Sequence, residues 1–214
     1  NDMNRKKDSK KDGNRLNELL NICKNKKNPL ILIYSDPDPD ALASAMALKE
    51  IMEKHDISPS IGYTGAIGRL ENESMINLLR IPAQPVSEKD IAKADMIALV
   101  DAQPDFFKNF KSPPEFDIVI DHHPKKSSKT FPFMDIRTKV NASSSIIMEY
   151  LFAAGIKPGI RLATALYYGI HTDNINIQKR PSAVDMKAML YLENKIDRSA
   201  LRRIVLSSYS LCRL

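Results

Sequence analysis

The sequence predicts an α/β fold, a parallel sheet with helices on both faces. Continuous apolar runs, the mark of strands buried on both faces, alternate with longer stretches of helical period. Three of those runs lead into aspartate at or within two residues of their ends. Hydrophobic residues make up 43% of the chain, enough for a sizeable core under such a sheet.

The elements follow in order. Residues 1–15 carry half of the net charge of +6 and read as a solvated, flexible basic leader. Leu16 to Cys23 has the spacing of a short amphipathic helix. Pro29-Leu30-Ile31-Leu32-Ile33-Tyr34 is the first strand, and Asp40 to Lys54, rich in Ala, Leu and Met, the helix behind it. Ser60 to Tyr63 is a second strand and Glu71 to Leu79 a helix. Met96–Val100, Asp117–Ile120 and Phe131–Asp135 supply three more strands. Helices follow at 144–154, capped by Ser143 or its neighbours, and at 161–170, 183–192 and 198–208. Residues 1–27 are thus a leader and short helix, and 28–214 one domain.

Several classes fall away. No apolar run approaches the roughly 18 residues of a membrane span, and the polar N-terminus has no signal-peptide pattern, so a cytoplasmic protein is expected. Cys23 and Cys212 lack metal-ligand spacing and read as reduced thiols. With only seven Gly, the chain has neither a Walker loop nor GxGxxG, and Gly62, Gly65 and Gly68 read as a turn-rich connection. Outside the leader the charge is only mildly basic, compatible with a phosphorylated substrate but not a nucleic-acid footprint in itself.

Ligands of open α/β sheets bind at the carboxyl ends of the strands. Here the first strand runs into Asp36-Pro37-Asp38-Pro39-Asp40, the third into Asp101 and the fourth into Asp121-His122-His123. Crowded carboxylates repel one another and take up protons unless cations separate them. Asp oxygens and His nitrogens suit Mn²⁺, Mg²⁺, Zn²⁺ or Fe²⁺. Of only four His in the chain, His122, His123 and His171 lie in or beside these segments, and His55 ends a charged helix. Asp173 closes a later apolar helix.

Together these segments resemble the DHH family of phosphoesterases. Asp38-Pro39-Asp40-Ala41-Leu42-Ala43-Ser44 is similar to its first motif and Val100-Asp101 to its second. Asp121-His122-His123 is similar to the triplet that names the family, and Gly169-Ile170-His171-Thr172-Asp173 to its fourth motif. The resemblance covers roughly residues 28–195 and is nearest the RecJ-like and oligoribonuclease-like branch. It implies a Rossmann-like DHH domain over 28–214. Family members carry a further, smaller substrate-binding domain with a Gly-Gly-Gly-His segment, expected to be absent from this chain.

The resemblance also implies two Mn²⁺ or Mg²⁺ ions. Asp38 and Asp101 would hold the first, and Asp40, Asp101, His122 and Asp173 the second. Asp101, as the bridging ligand, and His123, facing the substrate phosphate, would be the catalytic residues. Asp121 would orient the neighbouring imidazole. Tyr34 stands where the family has a His ligand of the first ion, so that site is expected to be weak, altered or lost unless Asp36 replaces it. The implied reaction is two-metal hydrolysis of short oligonucleotides or small nucleotide phosphates. Pyrophosphate or polyphosphate hydrolysis, and a degenerate nucleotide- or metal-binding sensor without turnover, are the alternatives. The reading includes nucleic-acid binding and allows a homodimer.

Overall fold

A computed structural model describes residues 2–125, 128–175 and 180–208, without the side chains of residues 2–11. Six strands form one parallel sheet: β1 (Pro29–Ile33), β2 (Ser60–Tyr63), β3 (Ala83–Pro85), β4 (Met96–Val100), β5 (Ile118–Asp121) and β6 (Phe133–Ile136). Their order is β3-β2-β1-β4-β5-β6. The chain builds outward from β1 to β3, then returns to β4 and builds outward the other way. The reversal leaves a crevice at the carboxyl ends of β1 and β4, where doubly wound sheets place their ligands.

The eight helices of the described residues are α1 (Asp2–Cys23), α2 (Pro39–Glu53), α3 (Leu70–Leu79), α4 (Glu88–Ile91), α5 (Ser143–Ala153), α6 (Ile160–Asn174), α7 (Ala183–Leu192) and α8 (Arg198–Ser207). The short helix expected at Leu16 is the end of the longer α1. Its Leu16, Leu19, Leu20 and Cys23 are buried, and Arg15 donates to the carbonyl of Met134 at 2.6 Å, which seats the helix over β6. Cys23 is therefore a core thiol; Cys212 lies outside the described residues.

The two faces are covered unequally. Ile31, Ile33 and Val100 point into a large core with α1, α2, α3, α5 and α6. Leu30, Leu32, Leu99 and Val119 point the other way, into a smaller core closed by Ile91 of α4, by Phe107 of a 3₁₀ turn (Pro104–Asn109) and by Phe116. Strand β3, α4 and the 3₁₀ turn escape the sequence reading because three to six residues are too few for periodicity to register. The Ser87/Asp90 capping box is α4's start signal. Helix α5 is capped at Ala142, without a side-chain bond, so Ser143 is its first residue rather than its cap.

One glycine sets the approach of two helices. A Cβ on Gly169 of α6 would lie 2.9 Å from the carbonyl oxygen of Pro39 and 3.0 Å from the Cα of Asp40. The bare backbone lets α6 close on the first turn of α2 and brings Asp173, one helical turn further on, toward Asp40. Among the described residues no helix is long and apolar enough to cross a membrane.

Candidate metal centre

Each acidic residue reaches the crevice for a local reason. Asp38 caps α2: its Oδ1 accepts from the Ala41 amide at 2.8 Å, and Pro39, which has no N–H to satisfy, follows it. Asp40, in the first turn of α2, is fully buried. Its Oδ2 accepts from the Ser143 amide at 2.6 Å and its Oδ1 from the Ser144 amide at 2.8 Å. The start of α5, with unpaired amides and the positive end of its dipole, thus clamps this carboxylate.

Asp101 follows directly on β4 with φ +55°, a left-handed conformation uncommon outside glycine. Ser35, two residues past the end of β1, has φ +43°. Both strands flanking the crevice therefore turn sharply there, and such backbone clusters at functional sites. The Asp101 amide donates to Ile120 at 2.9 Å, and Ser143 Oγ donates to Asp101 Oδ1 at 2.9 Å.

The two histidines differ in role. His123 Nδ1 lies 2.8 Å from Asp121 Oδ1, and Gln103 Nε2 donates to Asp121 Oδ2 at 2.8 Å. Gln103 also donates to the carbonyls of His123 and Pro124, closing the loop around the imidazole. The His123 side chain is 44% exposed and its partner Asp121 wholly buried. His122 Nε2 lies 3.2 Å from Asp173 Oδ2 and 3.4 Å from Asp101 Oδ1. It is buried, and neither contact has the geometry of a good hydrogen bond, although Asp173 is close enough to draw a proton onto the imidazole when no metal ion stands between them.

Two triads emerge. Asp40, His122 and Asp173, and likewise Asp101, His122 and His123, each bring one ligand atom per residue within 4.8 Å of one another. The donors, carboxylate oxygen and imidazole nitrogen, suit Mn²⁺ or Mg²⁺ in the first triad and nitrogen-tolerant ions such as Mn²⁺ in both. The orphaned Nε2 of His122 is the observation that tests the fit. A buried nitrogen lone pair facing carboxylates without a hydrogen bond costs free energy unless a cation stands between them.

The electrostatics agree. Burial pushes the Asp40 carboxyl up to about 6, and the Asp173 charge adds to it. Asp101 is raised well above the usual carboxylate range, by burial first and then by Asp40, Asp38, Asp173 and Asp121. Asp38 is raised by burial and by Asp40. Burial also works on Asp121, but the hydrogen bonds from His123 and Gln103 outweigh it and leave that carboxyl lowered. His122 is raised because Asp173 and Asp40 outweigh its burial.

The remaining candidates lie apart from the triads. Asp38 joins neither, although it is close enough to interact with Asp40, His122 and His123. Asp36 is exposed and accepts from the Gly68 amide at 2.6 Å. Gly68 lies in the connection between β2 and α3, and its amide ties that connection to Asp36. Tyr34 packs on Phe106 and Phe107. Gln103, Ser143 and Ser144 are participants that the sequence reading missed. Small polar residues at a helix start look like caps, and a lone Gln carries no pattern.

Comparison with known proteins agrees with this geometry. The model of the DHH family, N-terminal domain, matches residues 30–170. An uncharacterized protein of Methanocaldococcus jannaschii is 42% identical over 84% of this chain and 37% of its own length. A probable bifunctional oligoribonuclease and PAP phosphatase of Streptococcus mutans is 30% identical over 71% of this chain and 48% of its own. A probable manganese-dependent inorganic pyrophosphatase of Clostridium acetobutylicum is 29% identical over 66% and 46%. The chain thus spans less than half the length of these relatives. The crystal structure of an exopolyphosphatase-related protein from Bacteroides fragilis superposes with a TM-score of 0.67 at 17% identity, over 92% of this chain and 61% of that one, and shares its fold. With the four acidic segments in one crevice and the family model across most of the chain, this protein belongs to the DHH family.

Proposed function

We propose that the crevice is the active site of a metal-dependent phosphoesterase that cleaves phosphate esters of short oligonucleotides or small nucleotides. The observation that carries this reading is the buried His122 Nε2, without a hydrogen bond, between Asp173 and Asp101. Asp40, His122 and Asp173 would hold one divalent ion. Asp101 would be shared with a second, held also by Asp38. Bound divalent cations supply Lewis acidity toward phosphoryl oxygens and lower the pKa of water.

The chain's own residues do the rest. Asp121, fixed by Gln103, accepts from Nδ1–H of His123 and so leaves Nε2 as the ring nitrogen that can meet a substrate. When protonated there, His123 donates to the phosphoryl oxygens or to the departing alkoxide. Ser143 keeps Asp101 turned toward the crevice. Tyr34 favours a weak ion beside Asp38, because its ring is engaged with Phe106 and Phe107 and its phenol is a poor ligand near neutral pH.

The test is a Mn²⁺ titration of the full chain alongside hydrolysis of a dinucleotide, a nucleoside bisphosphate and pyrophosphate. Metal-dependent turnover is expected. Metal binding without turnover of any of them would turn the reading toward a sensor module.

A further inference from the structure

Two helices start with the same capping box, and only one of the boxes is buried. In α4 the Ser87/Asp90 box is exposed, and its bonds stay within residues 87–93. In α7 the Ser182/Asp185 box has the same form, but Asp185 is wholly buried. Its Oδ2 accepts from the Ser182 amide at 2.9 Å and also, at 3.1 Å, from the amide of Asn141, 44 residues away. Burying a carboxylate costs free energy, and α4 shows that the cap alone does not require it. The second bond points to a duty outside α7.

Asn141 joins the elements that carry the metal ligands. It stands two residues before Ser143, the start of α5, whose Oγ donates to Asp101 and whose amide, with that of Ser144, holds Asp40. Its side chain reaches the other way: Nδ2 donates to Asn174 Oδ1 at 2.8 Å and to the Arg180 carbonyl at 3.0 Å. Asn174 follows Asp173 at the end of α6, and its own Nδ2 donates back to the Ile170 carbonyl at 2.7 Å. Support is needed there. Helix ends fray, and the helix dipole disfavours a carboxylate in the last turn. Asp173 sits in that turn, and the two asparagines fasten it to the entry of α5 without adding charge to a crowd of carboxylates.

We infer that Asn141, locked by Asp185, is a positioning residue of the metal centre: it ties the turn that carries Asp173 to the helix start that holds Asp40 and Asp101. The tie keeps the ligand atoms gathered although the carboxylates repel one another. This rests on the metal-centre reading, but not on turnover of any substrate.

The experiment is Mn²⁺ calorimetry on the full chain, with thermal melting of each metal-free variant. Asn141→Ala and Asn174→Ala should each weaken the stronger Mn²⁺ site about tenfold, the usual cost of losing a group that supports a ligand. The double variant should lose no more than either alone, because the two act through one bond. Asp185→Ala should weaken the site in the same way. Asp185→Asn, whose side-chain oxygen still accepts from both backbone amides, should restore most of that loss. Binding is measured well below the melting temperature, so a merely structural role would lower melting and leave affinity unmoved. If Asp185→Ala does not fold, the asparagine variants and Asp185→Asn decide. Unchanged affinity in either single asparagine variant, or losses that add in the double variant, overturns the tie and leaves the metal centre standing. No Mn²⁺ binding by the wild type overturns the metal centre and the tie with it.

Discussion

Where α2, α5 and β4 meet, Asp40 and Asp101 are braced from a second element; at the end of β1, Asp36 and Asp38 are held by a loop and by their own helix. Asp40 is gripped by two α5 amides and Asp101 by the Ser143 hydroxyl, whereas Asp38 engages the Ala41 amide and Asp36 the Gly68 amide. The braced half gathers its ligand atoms into triads, and the other half joins neither. Acidic residues lie in both. What differs is whether a helix start lies opposite to fix their direction, and the two halves should therefore differ in metal affinity.

The sharpest break in this comparison is Asp101→Asn, which removes the charge shared by both halves. Turnover should fall at least about a thousandfold with the fold retained, and the metal-free protein should be as stable or more so, because a buried, repelled carboxylate is gone. Steady-state kinetics and thermal melting check this; wild-type turnover would remove Asp101 from its role. Ser143→Ala should weaken Mn²⁺ binding about tenfold, the usual cost of losing the group that orients a ligand, with Ser143→Thr restoring part of it. Calorimetry on the three proteins decides, and unchanged affinity would mean the hydroxyl is only structural.

Tyr34→His restores a nitrogen ligand to the weaker half. The weaker Mn²⁺ site should tighten about tenfold while the stronger one is unmoved. Two equal sites in the wild type would instead show that another residue has taken the missing ligand's place.

The smallest effect is on stability. A carboxyl whose folded pKa is raised contributes stability below its unfolded value that is lost as pH rises through the folded one. For Asp40 the window runs from about 4 to about 6. Metal-free protein should therefore melt about 5 °C lower at pH 8 than at pH 5 from this source. The difference should shrink in Asp40→Asn and on adding Mn²⁺. A drop of the same size in Asp40→Asn would assign the effect elsewhere.

Much of this was legible in the residues. The apolar runs at 29–33 and 96–100 and the aspartates that follow them located the crevice, because a buried parallel strand must end where its polar residues begin. The brace was not legible. Ser143 and Ser144 lie about a hundred residues from Asp40 in sequence, and nothing local distinguishes them from ordinary capping residues. Gln103 was hidden for the same reason, since its meaning lies in its tertiary partner Asp121, and β3 because three residues show no period. Tyr34 was visible as a departure, but that its ring would pack against the 3₁₀ turn depends on a segment too short to show a period.

The central claim is that His122 Nε2 faces a metal ion, and pulsed EPR of the Mn²⁺-loaded full chain tests it most directly. The wild type should show electron spin-echo modulation from a coordinated imidazole nitrogen, and His122→Gln should abolish that coupling. No nitrogen coupling in the wild type, or the same coupling in His122→Gln, would contradict the assignment.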